Sequence, residues 1–192
     1  RASLTVLDPF CGTGVIPIEC LVRGWHVLAS DKSEKAVAGC TKNLEWIRKE
    51  AKIKKPKVKS PVWKQAALKP FAPKAAPALL VGETTLGPPL SDRPTVKDAQ
   101  KMRSEAEKLE IDFLKNCAAT LPGVPLALTW PVWYLRTGTL RMEKPWEQLA
   151  EIGYEAVLPA GSEGDQPERP SIVYRRGDQL GGREVVPLCP LR

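Results

Sequence analysis

The sequence predicts an α/β fold with a mostly parallel sheet and helices on both faces. The first observation is an apolar stretch, Leu4–Leu7, that meets a glycine-containing turn and continues into a helix-like segment, Val15–Val22. The second is a further apolar stretch, Trp25–Ala29, which is followed by apolar residues at helical spacing from Ala36 to Ile47. Strands that alternate with helices in this way are typical of βαβ units, so a parallel sheet is expected.

The later segments extend this pattern with both capping and turn signals. Ser33 is predicted to cap the second helix, and Thr95 with Asp98 three residues on predicts the start of a long third helix. Gly24 and Gly153 are predicted to end the helices that precede them. The remaining predicted strands are Pro61–Trp63, Ala78–Val81, Val124–Trp130, and a terminal pair, Tyr154–Leu158 with Ser171–Tyr174; the remaining helices are Thr95–Asn116 and Trp146–Ile152.

Positive charge is concentrated in one segment of the 192-residue chain. The formal net charge is +7, and Arg48–Lys74 carries ten basic residues and a single acid, Glu50. Such a block is the electrostatic footprint of a polyanionic partner, most simply nucleic acid, although a solvated lysine-rich helix end and loop have the same composition. The candidate nucleic-acid-binding residues are Lys52, Lys54, Lys55, Lys57 and Lys59.

The cysteines and the apolar stretches exclude several classes of protein. The five cysteines are scattered without a C-x-x-C pair, which argues against a zinc ribbon or a disulfide framework and predicts no metal and a reducing, cytoplasmic compartment. No apolar run is long enough to span a membrane. The chain begins at Arg1, and its glycine turn follows almost at once. We therefore expect an N-terminal part to precede this segment in the complete protein.

The glycine turn, Asp8–Gly14, is the first motif that carries chemistry. Glycines at Gly12 and Gly14 let backbone N–H groups approach a ligand, and the following helix adds partial positive charge. A P-loop would need G-x-x-x-x-G-K-[ST], and a dinucleotide fold would need a third glycine; both are absent. An acid that ends the first strand just before the glycines favours S-adenosylmethionine (SAM), with Asp8 drawing the ligand's ammonium group directly or through a water.

Asp31 is the second candidate, because it follows the second predicted strand. A carboxylate there can accept hydrogen bonds from both ribose hydroxyls of a nucleoside. Dinucleotide folds use the same contact, so Asp31 does not by itself separate SAM from a dinucleotide. The neighbouring Lys32 could face the adenine edge or the solvent.

The Asp8–Gly14 stretch resembles the motif of class I amino-methyltransferases, which methylate exocyclic amines of nucleobases. The whole chain, 1–192, resembles the catalytic domain of an RNA methylase family that includes the tRNA guanosine N2-methyltransferases of archaea and eukaryotes. The stretches that carry the resemblance are Asp8–Glu19, Ser30–Trp46, Val81–Leu90 and Tyr174–Val185. It implies a seven-stranded class I methyltransferase (Rossmann-like) sheet with the last strand antiparallel, and a preceding RNA-binding part, often a THUMP domain.

The resemblance also implies a catalytic loop after the fourth strand, usually D/N-P-P-Y/F. An acceptor side chain in that loop binds the N–H groups of the exocyclic amine and orients its lone pair, while the aromatic stacks on a flipped base. Glu83 keeps the acid and is the candidate catalytic residue. Thr84 and Thr85 stand where the family has proline and an aromatic, so the rigid loop and the stacking ring are both absent from this stretch.

The cofactor site implied by the resemblance extends to the third strand. Many such enzymes place an acid there to bind the adenine amino group, and Gln65 can instead accept through its amide carbonyl. The predicted cofactor-binding residues are Asp8, Phe10, Cys11, Gly12, Thr13, Gly14, Asp31, Lys32 and Gln65.

The sequence and the resemblance together predict SAM-dependent N-methylation of a nucleobase in structured RNA, with tRNA as the expected partner. Two alternatives stay open at this point. One is a DNA amino-methyltransferase, which shares the first motif. The other is a methyltransferase-like RNA-binding module without turnover, which the replacement of the loop residues by Thr84 and Thr85 favours. An aromatic side chain near Glu83 in the folded protein would favour the enzyme.

Overall fold

The computed structural model describes residues 4–51, 60–87, 90–158, 161–162, 169–177 and 179–191. The chain divides into two compact units, one of residues 1–82 with 124–126 and the other of residues 83–123 with 127–192. The boundaries of the units fall within two strands. The strand that ends at Glu83 has its other residues in unit 1, and the strand that begins at Leu126 has its other residues in unit 2. Within the described ranges, none of the helices is both long enough and apolar enough to cross a membrane.

Unit 1 is built on parallel strands that pair in the order β3-β2-β1-β4. In the centre of this order, Leu7 of β1 lies opposite Leu28 on one side and Leu80 on the other. Each strand is followed by a helix or a loop, as the alternation of the sequence predicted. The elements are β1 (Thr5–Asp8), α1 (Val15–Val22), β2 (His26–Asp31), α2 (Glu34–Glu50), β3 (Val62–Lys64) and β4 (Leu79–Glu83).

Two predicted helix signals in unit 1 are confirmed, the Gly24 end of α1 and the Ser33 cap of α2. At the end of α1, Gly24 has φ +76° and donates to the carbonyl of Leu21, while Trp25 donates to that of Cys20. These two bonds satisfy carbonyls that the helix leaves unpaired. The Ser33 hydroxyl accepts the Ala36 N–H at 3.3 Å and caps α2. The apolar core of unit 1 consists of Val6, Cys11, Cys20, Leu21, Val27, Ala29, Cys40 and Leu44.

Unit 2 differs from the prediction in the strand that organises it. The strand β9 lies between β5 and β7 and also pairs with β8, whereas β6 pairs with β5. The prediction of a terminal strand pair was therefore wrong: β7 and β8 each pair antiparallel with β9. The elements are α3 (Val96–Thr120), β5 (Leu126–Leu135), β6 (Gly138–Leu140), α4 (Lys144–Ile152), β7 (Tyr154–Ala156), β8 (Ile172–Tyr174) and β9 (Gly181–Pro190).

The helix α3 begins at its predicted cap and also supplies the cap of α4. The Thr95 hydroxyl accepts the Asp98 N–H at 3.1 Å, as the sequence predicted. On the same helix, buried Glu107 accepts the N–H groups of Glu143 and Lys144 at 2.8 and 3.3 Å. A carboxylate that binds the free N–H groups at a helix start also complements the helix dipole. This contact fixes α4 on α3.

A buried ion cluster lies on one face of β9. The Glu184 carboxylate is fully buried and accepts from Arg169 Nε at 2.6 Å and Nη2 at 2.9 Å, and from the Ser171 hydroxyl at 2.7 Å. Arg141 lies 3.7 Å away, and the Arg169 guanidinium also lies over the ring of Trp146. Because every charge in the cluster has a partner of opposite sign, the burial of Glu184 is compensated.

Candidate active site

The glycine turn of unit 1 connects β1 to α1 and is tied to its neighbours by backbone hydrogen bonds. Gly12 and Gly14 have φ values of +50° and +100°, which glycine adopts without strain. The Cys11 N–H donates to the carbonyl of Ser30 at 3.0 Å. From α2, the Asn43 amide donates to the carbonyl of Thr13 at 2.8 Å, a contact that the sequence did not indicate. The turn is thus fixed between the ends of β1, β2 and α2.

Asp31 joins the second strand to this turn. Its Oδ2 accepts the Gly12 N–H at 3.0 Å, and its Oδ1 accepts the Ser33 N–H at 2.8 Å. The carboxylate is half-buried, and each of its oxygens keeps a second lone pair for a ligand hydroxyl. Asp8 is 1% exposed and accepts the Phe10 N–H at 3.0 Å. A contact from Asp8 to a ligand would therefore pass through a water.

The two glycines of the turn are required for different reasons. A Cβ on Gly14 would lie 2.8 Å from the Cys40 sulfur, so Gly14 is needed for packing against α2. A Cβ on Gly12 would meet only the Phe10 carbonyl, 4.0 Å away, so its position faces open space. The backbone N–H groups at the helix N-terminus can donate to a carboxylate, and the strand-end acid can accept from hydroxyls, so the turn with the open space beside Gly12 fits the zwitterionic and ribose groups of SAM.

The Cys11 thiol lies in the core next to the turn and faces the Cys40 thiol. A hydrogen bond with Cys40, together with burial, raises the pKa of Cys11 above its ordinary value. Both side chains are buried, and Cys11 also contacts the carbonyl of Gly12. Cys11 is therefore a neutral, packed thiol at neutral pH. Its position under the glycine turn makes it a support of the predicted site.

The other predicted cofactor residues differ in how available their side chains are. The Gln65 carbonyl accepts from Trp63 Nε1 at 2.8 Å, and its amide nitrogen donates to the carbonyls of Lys69 and Pro70. Lys32 and Thr13 are exposed, and Phe10 is half-buried. The predicted adenine contact of Gln65 stays a prediction; in this structure that side chain holds its own loop.

The predicted nucleic-acid-binding lysines Lys52, Lys54, Lys55, Lys57 and Lys59 lie outside the described residues. Their role stays a prediction.

The described part of the chain also contains no group of three or more His, Cys, Asp or Glu side chains that could hold a metal ion.

In unit 2, Glu83 forms an ion pair that sequence reasoning missed. Arg183 Nε lies 2.6 Å from Glu83 Oε2, and Nη2 lies 3.3 Å from Oε1, so the guanidinium binds both oxygens. The side-chain amide oxygen of Gln179, Oε1, accepts from Nη1 of the same guanidinium at 3.2 Å. The hydrogen bond with Glu83 raises the pKa of Arg183. The Gly181–Glu184 run, part of the stretch that resembles the family, was the available signal for this residue.

The loop that follows Glu83 is held by threonine. The Thr84 side chain is buried, and its hydroxyl donates to the carbonyl of Thr129 in β5 at 3.0 Å. Thr84 also lies beside the fully buried carboxyl of Glu110 on α3. Burial raises the pKa of Glu110 to about 8. Thr84 stands where the family has a proline, and the sequence therefore predicted a less rigid loop. That prediction was wrong for Thr84, because a side-chain hydrogen bond anchors it.

A cavity of about 400 Å³ lies beside the ion pair and is lined by Arg183 itself. Its wall includes Pro131, Val132 and Trp133 of β5. The sequence places these residues after the fifth strand, but they lie within it, since β5 continues to Leu135. Among the described residues that line the cavity, Trp133 is the aromatic one. Trp133 thus lines the cavity from β5 and is almost fully buried, whereas the loop after Glu83 has no aromatic residue.

The chain resembles known proteins in part of its sequence and in its fold. The profile of a family described as conserved hypothetical protein 95 matches residues 2–71, which include the glycine turn, Asp31 and Gln65. No curated protein sequence matches the chain. TrmN from Thermus thermophilus has a similar structure, with a TM-score of 0.58 and 18% identity over 100% of this chain. This chain spans 45% of the TrmN chain.

Two further structures broaden the comparison. Magnesium protoporphyrin IX methyltransferase (ChlM) from Synechocystis PCC 6803, with bound SAM, has a TM-score of 0.61 and 14% identity, covering 98% of this chain and 70% of ChlM. An rRNA methylase from Streptococcus thermophilus has a TM-score of 0.55 and 13% identity, covering 99% of this chain and 89% of that one. The chain therefore shares the α/β fold of these methyltransferases, which confirms the predicted fold class.

Proposed function

We propose that this chain is a SAM-dependent methyltransferase that methylates the exocyclic amine of a nucleobase in structured RNA, with guanosine in tRNA as the expected target. The observation that carries the proposal is the Glu83–Arg183 pair beside the cavity. A half-exposed carboxylate with a fixed orientation, at the end of a strand in this fold, is suited to accept the N–H groups of an amine.

The residues of unit 1 would hold the cofactor. Asp31 would accept the ribose hydroxyls with its remaining lone pairs, and the Gly12 backbone would line the methionine part of SAM. Asp8 and Asp31 come at the carboxyl ends of the parallel strands β1 and β2, where ligands bind in open α/β sheets. When bound, SAM supplies a sulfonium methyl group: the amine lone pair forms the C–N bond, the C–S bond electrons stay on sulfur, and a proton leaves the nitrogen.

Glu83 would act on the amine by orienting it. An exocyclic amine is a poor nucleophile because its lone pair is conjugated with the base. A carboxylate that accepts its N–H bonds aligns the lone pair and stabilises the positive charge that develops on nitrogen. Arg183 would keep the carboxylate in place during this step. The RNA substrate is supported by the structural likeness to an rRNA methylase and by the net charge of +7.

The test is a transfer assay with SAM labelled in the methyl group and, as acceptors, bulk tRNA, rRNA and duplex DNA. We expect label in RNA, and a loss of roughly a hundredfold or more in Glu83→Gln. The exposed Glu155→Gln is the matched control and should keep full activity. Digestion of the product and mass spectrometry should show N2-methylguanosine; label in DNA alone would favour the DNA amino-methyltransferase.

Cofactor binding is measured separately by calorimetry. Asp31→Ala should weaken SAM binding by about 1 kcal/mol or more, because charge-assisted hydrogen bonds are lost. Unchanged affinity would remove Asp31 from the site. If the wild-type chain binds SAM and RNA but transfers no methyl group, the chain is a methyltransferase-like binding module, and the enzymatic proposal is overturned.

A further inference from the structure

The helix α2 contacts the glycine turn of unit 1 through three residues on one of its sides, Gly39, Cys40 and Asn43. Two of them pack against the turn: a Cβ on Gly39 would lie 3.5 Å from the methyl carbon of Thr13, and a Cβ on Gly14 would lie 2.8 Å from the Cys40 sulfur. Asn43 adds a hydrogen bond, from its Nδ2 to the Thr13 carbonyl oxygen at 2.8 Å. Packing limits the distance between turn and helix, whereas a hydrogen bond also fixes the direction of a carbonyl group.

The Asn43 bond acts on the peptide unit that joins Thr13 to Gly14. The carbonyl of this unit accepts from Asn43, and its N–H group, which belongs to Gly14, donates to the carbonyl of Cys11 at 2.8 Å. A trans peptide unit is planar and has its carbonyl and its N–H on opposite sides, so bonds at both ends define its orientation. Because Asn43 lies 30 residues further along the chain, the turn is fixed here by a side chain from another element.

A fixed peptide unit matters at this place because glycines flank Thr13. Gly12 and Gly14 both have positive φ, and glycine has more backbone freedom than any other residue. The adjoining peptide units carry the N–H groups of Thr13 and Val15. Val15 is the first residue of α1, so its N–H has no partner within the helix. N–H groups at a helix start bind carboxylates, and SAM carries a carboxylate in its methionine part. The direction of these N–H groups therefore determines how well the turn binds that carboxylate.

We propose that Asn43 is a positioning residue for the cofactor. Its bond to the Thr13 carbonyl holds the turn in the conformation that directs the N–H groups of Thr13 and Val15 at the carboxylate of SAM. The inference rests on the cofactor site of the proposed function and adds to it a residue of α2 that the sequence did not indicate. Asp31 would bind the ribose of the same ligand, so Asn43 and Asp31 should act on different parts of SAM.

Two ligands separate these parts in a calorimetric binding test. S-adenosylhomocysteine carries the amino-acid carboxylate, whereas 5′-methylthioadenosine lacks it and keeps the ribose and the adenine. Asn43→Leu, which has a similar volume but no donor, should weaken S-adenosylhomocysteine binding roughly tenfold and leave 5′-methylthioadenosine binding unchanged. Asp31→Ala should weaken the binding of both. The matched control is Thr41→Val, which removes a bond within α2 itself, to the Val37 carbonyl at 2.9 Å, and should change neither affinity. Asn43→Ser, whose side chain is shorter, repeats the test if the leucine variant does not fold.

Amide hydrogen exchange, followed by NMR, tests the turn without a ligand. The Gly14 amide should exchange faster in Asn43→Leu than in the wild-type chain, whereas the Gly24 amide, bonded to the Leu21 carbonyl at the other end of α1, should exchange at the same rate in both.

The outcomes separate the inference from the proposed function. An unchanged Gly14 rate, or an equal loss of affinity for both ligands, overturns the inference. If the wild-type chain methylates RNA and Asn43→Leu keeps full affinity for S-adenosylhomocysteine, the inference is overturned and the proposed function stands. If Gly14 exchange accelerates and only S-adenosylhomocysteine binding weakens, but the wild-type chain methylates no RNA, the inference stands and the proposed function fails. A wild-type chain that binds neither ligand overturns both.

Discussion

Carboxylates at the end of a strand or within one are held in different ways in the two units. In unit 1, the Asp31 carboxylate accepts two backbone N–H groups, one from Gly12 and one from Ser33. In unit 2, Glu83 is held by Arg183, which lies 100 residues further along the chain. Glu184 is held by Arg169 and Ser171. Unit 1 therefore depends on backbone geometry and small residues, whereas unit 2 depends on charge pairs between distant side chains. Substitutions that remove charge should be costly in unit 2, and substitutions that add volume should be costly in unit 1.

The largest effect is expected for Glu184→Gln in unit 2. The change keeps the shape of the side chain but removes the charge that compensates Arg169, which is 17% exposed, and nearby Arg141. An unpaired buried charge costs on the order of 3–5 kcal/mol. We expect a loss of that size in the free energy of unfolding, measured by urea denaturation. Asp112→Asn breaks the exposed pair with Lys108 and should cost less than about 1 kcal/mol. Equal losses in the two variants would contradict the distinction between the units.

The contrast between local backbone contacts and pairs of distant side chains also explains how much of the fold was predictable from the sequence. The Ser33 cap, the Gly24 helix end and the glycine turn are local signals, and the structure has all three where the sequence placed them. The strand β9 was missed because its buried face contains Glu184 and its sequence contains Pro187, both of which weaken a strand pattern. Only the partner Arg169 makes the buried glutamate favourable, and a pairing over that distance leaves no periodic signal in the sequence.

The second prediction concerns volume in unit 1 and compares two glycines at the ends of α1. Gly14→Ala places a Cβ 2.8 Å from the Cys40 sulfur at φ +100°, so it combines backbone strain with overpacking. We expect a loss of about 2–4 kcal/mol in the free energy of unfolding. Gly24→Ala has a similar φ, +76°, with nothing within 4 Å, and should lose only about 1–2 kcal/mol. The difference between the two variants measures the packing of Gly14 against Cys40. Equal losses would show that this contact between α1 and α2 rearranges to accept the added Cβ.

The candidate site was predictable to the same extent. Asp8, Gly12, Gly14 and Asp31 are assigned by their place after predicted strands, and the structure brings them together around one turn. The ion pair of Arg183 with Glu83 and the place of Trp133 in the cavity wall could not be predicted, because both depend on how β9 and β5 lie in unit 2. From the sequence, Thr84 was interpreted only as the loss of the proline that the family has at this position of the loop. Its hydrogen bond to β5 is visible only in the fold.

The third prediction is a pH dependence carried by Glu110 in unit 2. Its pKa of about 8 in the folded chain lies above the ordinary value of 4.5, so folding takes up a proton between these pH values. Unfolding therefore releases a proton, and the free energy of unfolding should fall as pH rises from about 5 to 8, by about 1 kcal/mol per pH unit. Below the ordinary pKa both states are protonated, and above the folded pKa both are ionised, so the dependence vanishes at either end.

Glu110→Gln isolates this contribution, because the amide keeps the shape of the side chain and is uncharged at every pH. Its unfolding free energy should not fall over the same range, whereas the exposed Glu151→Gln should retain the wild-type slope. Chemical denaturation at pH 5, 6, 7 and 8 gives the three curves. A Glu110→Gln curve parallel to the wild type would show that Glu110 is ionised in the fold. Thr84, whose hydroxyl donates to the carbonyl of Thr129, would then lie beside a buried negative charge rather than beside a neutral carboxyl.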